Sequence, residues 1–320
     1  MPKLQKEKQN VFTHPLVIVL AALLCCALWG SASPAIKIGS GLLIPEVNKG
    51  VPSTILFAGV RFTLAGIITV LIYSVARKKF LYPKRENLPR VLSVSAFQTV
   101  IQYIFFYVGL ANTTAVKGTI ASGSSAFFCV LVASLIFRQE KLTPKKMIAC
   151  LIGFAGIILV NLNGLTFTMS FIGDGFVIFS TISYAFSSVL MKRFSKHEDP
   201  VVISGYQFII GGSFMVLLGI ILGGKITVTS IGAALILFYL ACLSAVAYAL
   251  WGVLLKYNPV SRVSIFAFST PVFGTLLSEL LADFLPEKSN GVAPLNLVLA
   301  LLLVALGIFL LNYQKQKKAI

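Results

Sequence analysis

"AGVRFTLAG" (58–66) and "SGYQFIIGG" (204–212) decide the fold once they are laid over one another. Phe62 then falls on Phe208, Gly66 on Gly212 and Arg61 on Gln207. Working outward, "AVKGTIASGSSAFF" (115–128) falls on "VSRVSIFAFSTPVF" (260–273). That sets Lys117 on Arg262, Ser124 on Ser269 and Phe128 on Phe273. "WGSASPAIK" (29–37) falls on "YAFSSVLMK" (184–192), with Trp29 on Tyr184 and Lys37 on Lys192. Three matches in one order at nearly constant offset imply an internal repeat.

The medium around that repeat follows from composition. The 320 residues are 57% hydrophobic and 12% charged, with mean hydropathy +0.91. A soluble domain needs more polar residues to cover its surface. Apolar runs of bilayer-spanning length recur throughout, at roughly 15–37, 53–76, 90–110, 115–137, 145–162, 172–192, 201–223, 231–255, 262–283 and 293–313. The expected fold is an all-α membrane protein of ten transmembrane helices. Its parts are an N-terminal tail (1–14), a five-helix repeat (15–162), a second (172–313) and a C-terminal tail (314–320). Five is odd, so the second repeat enters the membrane upside down. The basic start "MPKLQKEKQNVFTH" precedes an apolar run too long for a signal peptide and reads as leading a retained first helix.

Charge sets the orientation. With the N-terminus inside, 21 of the 27 Lys and Arg fall in inner segments and five outside, leaving Arg61 within a span. This is a positive-inside pattern for a multi-pass protein of the cytoplasmic membrane with both termini cytoplasmic. It supports inversion independently, because Lys117 falls outside and its partner Arg262 inside. The net charge of +17 therefore reflects topology and does not argue for nucleic acid.

Several chemistries are disfavoured. Cys25, Cys26, Cys129, Cys150 and Cys242 all lie in apolar runs, without a CxxC pair or a nearby His, so neither a metal site nor disulfides are expected. No Walker, HExxH or catalytic-triad pattern is seen, so neither an enzyme nor a cofactor is expected. No Asp or Glu falls near mid-membrane. Glu279 is the one plausible acidic coupling residue, though its place suits a boundary carboxylate.

Polar residues inside the spans mark the candidate site. Arg61 lies about 12 Å below the outer boundary at 1.5 Å per residue. Facing lipid there would cost at least about 2.5 kcal/mol. It reads either as a strut on backbone carbonyls or as a seat for a substrate carboxylate or phosphate. Gln98 and Gln102 share a face of the third span, with Ser244 and Tyr248 as counterparts in the eighth. Tyr103, Phe105, Phe106 and Trp251 flank them. Trp29, Tyr184 and Gln207 complete the candidate lining of a pocket for an amphipathic metabolite; interhelical hydrogen bonding and packing are the alternatives. Pro271 after Ser269 and Thr270 suggests a hinge.

"LWGSASPAIKIG", "AGVRFTLAG" and "FFYVGLANTTAVKGTIASGSSAFFCVLVASLIFRQEKLTPKKMIACLIGFAGIILV" resemble the drug/metabolite transporter superfamily, in particular its EamA branch, from about residue 15 to 313. The resemblance implies ten helices in two inverted halves around a central cavity, and secondary transport of amino acids or other small metabolites, mostly outward. The family's arginine in the second span is matched by Arg61, and its glutamate after the fourth by Glu140, which by topology sits at the cytoplasmic interface. "LADFLPEKSNG" departs from that pattern, so Glu287 is only an approximate counterpart. The expected function is export of a small metabolite by alternating access. A non-transporting scaffold or regulatory protein on the same fold is the alternative from another class, and uptake of an anionic metabolite through Arg61 and Lys37 is a third. Expected partners are a small-molecule solute and the lipid bilayer, with a homodimer as a further candidate.

Overall fold

The structure, a computed structural model, describes residues 11–162, 168–280 and 294–312. Ten helical spans build it: α1 (Pro15–Leu43), α2 (Val51–Ala76), α3 (Arg85–Ala111), α4 (Ala115–Ile136), α5 (Pro144–Val160), α6 (Phe171–Phe194), α7 (Pro200–Ile221), α8 (Ile231–Tyr257), α9 (Val260–Leu280) and α10 (Pro294–Asn312). Among the described residues, nine are long and apolar enough to cross a membrane. α5, with 17 residues, is at the short end of spanning length. The C-terminal tail 314–320, Asp283, Glu287 and Lys288 lie outside the described residues.

Local chemistry sets the helix ends. Pro stands in the first turn of α1, α2, α5 and α7, where its missing N–H costs nothing. Side chains of Thr114, Thr143, Ser170, Asp199 and Ser230 accept from the first turns of α4 to α8. α1 runs six residues past its predicted end at 37, to Leu43. Pro34 lies inside it without ending it and the next proline is Pro45, so its 29 residues reach about 43 Å and exceed the hydrocarbon core.

The repeat appears as a pairing pattern. α2 packs most extensively on its own equivalent α7, and α5 on its equivalent α10. α1 lies against α8 and α9, just as α6 lies against α3 and α4. Direction comes from the glycines. A Cβ on Gly66 would stand 2.5 Å from the Gly205 carbonyl oxygen, and one on Gly212 2.5 Å from the Thr63 nitrogen. Residues 59–66 of α2 therefore run against 205–216 of α7 in antiparallel register. Equivalent helices meeting antiparallel is what inverted topology requires. The small residues also let the two backbones approach closely.

Four spans depart from regular α-helix, α6 only through a π turn at its start, Phe171–Gly175. α3 contains a π turn at Ala96–Ile101. α4 is interrupted at Ser124 and α9 by a 3-10 stretch, Ile265–Phe268, ending at Ser269. Ser124 and Ser269 are the equivalent pair seen in the sequence. In α9 the cause is Pro271, which lacks the N–H for the Ala267 carbonyl. The neighbouring Phe266 carbonyl accepts from Cys26 Sγ at 3.1 Å. Outside, Leu20, Leu24, Ile72, Leu217, Ile220 and Leu302 stand exposed, as lipid contact demands. Inside lie Arg61, Gln98, Gln207 and many serines, the reverse of a soluble protein.

Candidate functional site

Five helices converge through aromatic rings. Trp29 of α1 meets Tyr248 of α8 at 5.2 Å between centroids, and Tyr248 meets Phe208 of α7 at 4.9 Å. Phe208 stacks on its equivalent Phe62 of α2 at 5.0 Å, and Phe62 meets Tyr103 of α3 at 4.4 Å. A hydrogen bond between the hydroxyls of Tyr103 and Tyr248 at 2.7 Å closes the ring. Trp251 joins Trp29 at 4.8 Å, and Tyr184 of α6 is packed in the same core region as both.

Arg61 belongs to this ring. It is only 3% exposed, and its guanidinium carbon lies 4.3 Å from the Phe62 ring centre and 5.9 Å from that of Tyr103. Cation–π attraction compensates part of the burial. No hydrogen-bond or ion-pair partner holds the guanidinium among the described residues, and its Nε is buried without an acceptor.

The equivalent residue, Gln207, is tied down. Thr99 Oγ1 donates to its Oε1 at 2.6 Å, and Ser95 Oγ donates to its backbone carbonyl at 2.9 Å. The positions on α8 equivalent to Ser95 and Thr99 are Ala241 and Ala245. The second half, whose α8 packs on the cation-bearing α2, thus has no hydroxyls at these positions, and this is the sharpest divergence between the two repeats.

The other predicted residues fall into place as follows. Gln98 is buried inside the π turn and Gln102 follows it half-buried, each with an Oε1 that no donor reaches. Trp29 Nε1, Trp251 Nε1, Tyr184 Oη and Gln207 Nε2 are likewise buried without a partner. Each such atom costs about 1–3 kcal/mol unless something polar meets it. Gln207 nonetheless sits between α7 and α3, set apart by its bonds to Thr99 and Ser95. Phe105 turns away, to Phe176 and Phe179 of α6. Phe62 and Phe208 are the central rings that sequence reasoning left out of the site, although their match across the repeat was visible. Equivalent interruptions in α4 and α9 lie beside this region, since α1 packs on α9 and α6 on α4. Paired broken helices are a recurrent feature of membrane binding sites.

Glu140 lies elsewhere, in the α4–α5 connector, as its position after the fourth span implies. Its side chain is 7% exposed. It accepts from Lys146 Nζ at 2.8 Å, from the Ser261 backbone N–H at 3.2 Å and from the Ser261 hydroxyl. Burial opposes its charge, but the Lys146 and Ser261 hydrogen bonds outweigh it and hold the carboxyl below its ordinary range.

Comparison with known proteins bears on the whole chain. The EamA-like transporter family model matches residues 16–162 and again 171–313. A protein of Archaeoglobus fulgidus named as an uncharacterized transporter is 24% identical over 268 residues, spanning 82% of this chain and 89% of that protein. The uncharacterized transporter YvbV of Bacillus subtilis is 24% identical over 281 residues, 83% of this chain and 85% of its own. A solved crystal structure superposes with TM-score 0.73 at 18% identity, over 92% of this chain and 96% of that one, and so shares the fold. With both halves matched in turn, the chain is a multi-pass membrane protein that belongs to the EamA-like transporter family.

Proposed function

We propose that the protein is a secondary transporter that exports a small amphipathic metabolite, of amino-acid size, by alternating access. The face from which the α2–α3, α4–α5, α6–α7 and α8–α9 connectors emerge is the basic face. On this reading it is cytoplasmic, both termini lie there, and the membrane is the cytoplasmic membrane. The observation that carries the reading is Arg61, nearly fully buried with no acceptor where its equivalent has two hydroxyl donors. A planar guanidinium takes a carboxylate in two parallel hydrogen bonds. The Gln98 and Gln102 oxygens accept from an ammonium or amide N–H, and the aromatic ring receives an apolar side chain. Export is the direction that the resemblance in sequence implies.

The test is efflux of a panel of radiolabelled amino acids from vesicles carrying the purified protein. Arg61→Ala is expected to abolish efflux of whichever solute the wild type moves. Arg61→Lys keeps the charge but not the fork, and is expected to lose at least tenfold. Unchanged efflux in Arg61→Ala at equal protein level would leave Arg61 as a strut and remove it from the site.

A further inference from the structure

Tyr184, Ser188 and Lys192 follow one another at one-turn intervals on α6 and so share one face of it. The helices packed there are α4 and α9. The Ser188 hydroxyl lies beside Tyr184 Oη and beside the thiol of Cys129 on α4, and the Ser264 hydroxyl of α9 lies beside the same thiol. At 1.5 Å per residue, Tyr184 stands about 15 Å from the basic-face end of α6 and Ser188 about 9 Å. Ser264 stands about 6 Å from the start of α9. The groups thus form a line from the core region of Trp29 and Trp251 to the basic face. At that face the line is shut. Lys192 Nζ donates to the Leu255 carbonyl at 3.2 Å and to the Asn258 carbonyl, and the Ser261 hydroxyl donates to Glu140.

The hydroxyls along this line are buried and unbonded. Tyr184 Oη, Ser188 Oγ and Ser264 Oγ meet no hydrogen-bond partner. A buried serine in a helix ordinarily satisfies itself by donating back to its own preceding turn. Ser180, Ser187 and Ser244 do so, to the carbonyls of Val177, Tyr184 and Leu240. Ser188 and Ser264 do not. Each dry hydroxyl costs about 1–3 kcal/mol, which alanine at 188 and 264 would avoid. The cost is recovered in a state where something polar reaches them. The other repeat shows such a state. Ser33 of α1 and Thr119 of α4, the equivalents of Ser188 and Ser264, are exposed and half-buried. Inversion places them toward the opposite face.

We propose that Tyr184, Ser188 and Ser264, with the Cys129 thiol beside them, line the basic-face half of the solute's path. Water and the polar end of the solute meet these hydroxyls when that half opens; in this structure it is closed. This rests on the transport reading, because only a carrier opens that half.

Cys129 makes the path readable in the native protein. The thiolate is the reactive form, and it forms only where water can stabilise its charge. Cys25 of α1 is equally buried, but its thiol donates to the Ala247 carbonyl of α8. The full-length protein in inside-out vesicles, which present the basic face, is treated with a small, charged, membrane-impermeant methanethiosulfonate. Labelling of each cysteine is followed by mass spectrometry. Cys129 is expected to label at least tenfold faster than Cys25, with efflux lost as labelling proceeds. Ser188→Ala combined with Ser264→Ala removes two dry hydroxyls from the closed state. It is expected to raise the thermal midpoint in detergent and to slow Cys129 labelling several-fold. Labelling of Cys129 no faster than of Cys25, labelling that leaves efflux untouched, or an unchanged rate in the double variant at equal protein level would each overturn the path. If Cys129 labels as expected but the protein moves no amino acid in the efflux panel, the wetted line stands and the transport reading falls. Efflux with an inert Cys129 removes the path alone.

Discussion

At the scale of single residues, what matters is which buried polar atoms have partners. Arg61 and Gln207 occupy equivalent places, yet only Gln207 meets hydroxyls. The difference lies in the neighbouring helix, which offers Ser95 and Thr99 on one side and Ala241 and Ala245 on the other. Thr99→Val should therefore leave the buried Gln207 oxygen unpaired and destabilise the protein by about 1–3 kcal/mol, read as a lower thermal midpoint in detergent. Ala245→Ser should act in the opposite sense. It supplies a hydroxyl on α8 at the position equivalent to Thr99, on the helix that packs against α2, so the midpoint should hold or rise while efflux falls several-fold. A loss of both together would mean that the new hydroxyl merely overpacks the site. Arg61 and the two glutamines were legible from sequence because polar groups in an apolar run are conspicuous. That Gln207 differs from Arg61 was not legible, because it depends on which hydroxyls α3 presents across a gap of more than 100 positions in the chain.

At the scale of elements, hydropathy alone placed all ten helices, because a spanning helix must be about 20 residues of apolar sequence. Their interruptions were less visible. Pro271 announced the break in α9, whereas Ser124 in α4 and the π turn at Ala96–Ile101 have no proline to mark them. In the π turn the Phe97 carbonyl accepts from Ser183 Oγ of α6 at 2.6 Å, a tertiary bond that no local pattern encodes. The α2–α7 seam is the element most exposed to mutation. Gly66→Val would drive a side chain into the Gly205 carbonyl oxygen and the Ile209 nitrogen, which stand 2.5 and 2.7 Å from its Cβ. Backbone cannot yield as a flexible side chain does, so a loss of at least about 3 kcal/mol, or failure to assemble, is expected. Gly41→Ala is the matched control. Nothing lies within 4 Å of its Cβ, so stability should be unchanged or slightly higher. Connectors have a pH signature too. Glu140 joins the α4–α5 connector to the start of α9 through a carboxyl held below its ordinary range. A depressed folded value contributes stability above the unfolded value and loses it as pH falls through the folded one. The gap in thermal midpoint between wild type and Glu140→Gln should therefore persist at pH 5 and close only below about pH 4.

For the whole molecule, symmetry and charge make separate statements that must agree. Antiparallel contact of α2 with α7 and of α5 with α10 shows that the halves are inverted, but it does not say which face is which. Charge supplies that. The connectors holding Lys79, Arg138, Lys141 and Lys196 emerge on one face with the start of α1, and those holding Lys49 and Lys225 on the other. Inserted chains retain Lys and Arg on the cytoplasmic side, so the orientation is testable at single positions. In intact cells, a membrane-impermeant maleimide should label Lys49→Cys and Lys225→Cys but neither Lys79→Cys nor Lys196→Cys. Inside-out vesicles should reverse the pattern. Lys49 and Lys225 come from opposite repeats, before α2 and before α8, so their labelling together also tests the inversion in the membrane. Labelling of one without the other would mean that an odd number of the intervening helices fails to cross. The two repeats would then not share a midplane, and the ring from Trp29 to Tyr248 could not serve as a site approached from both sides.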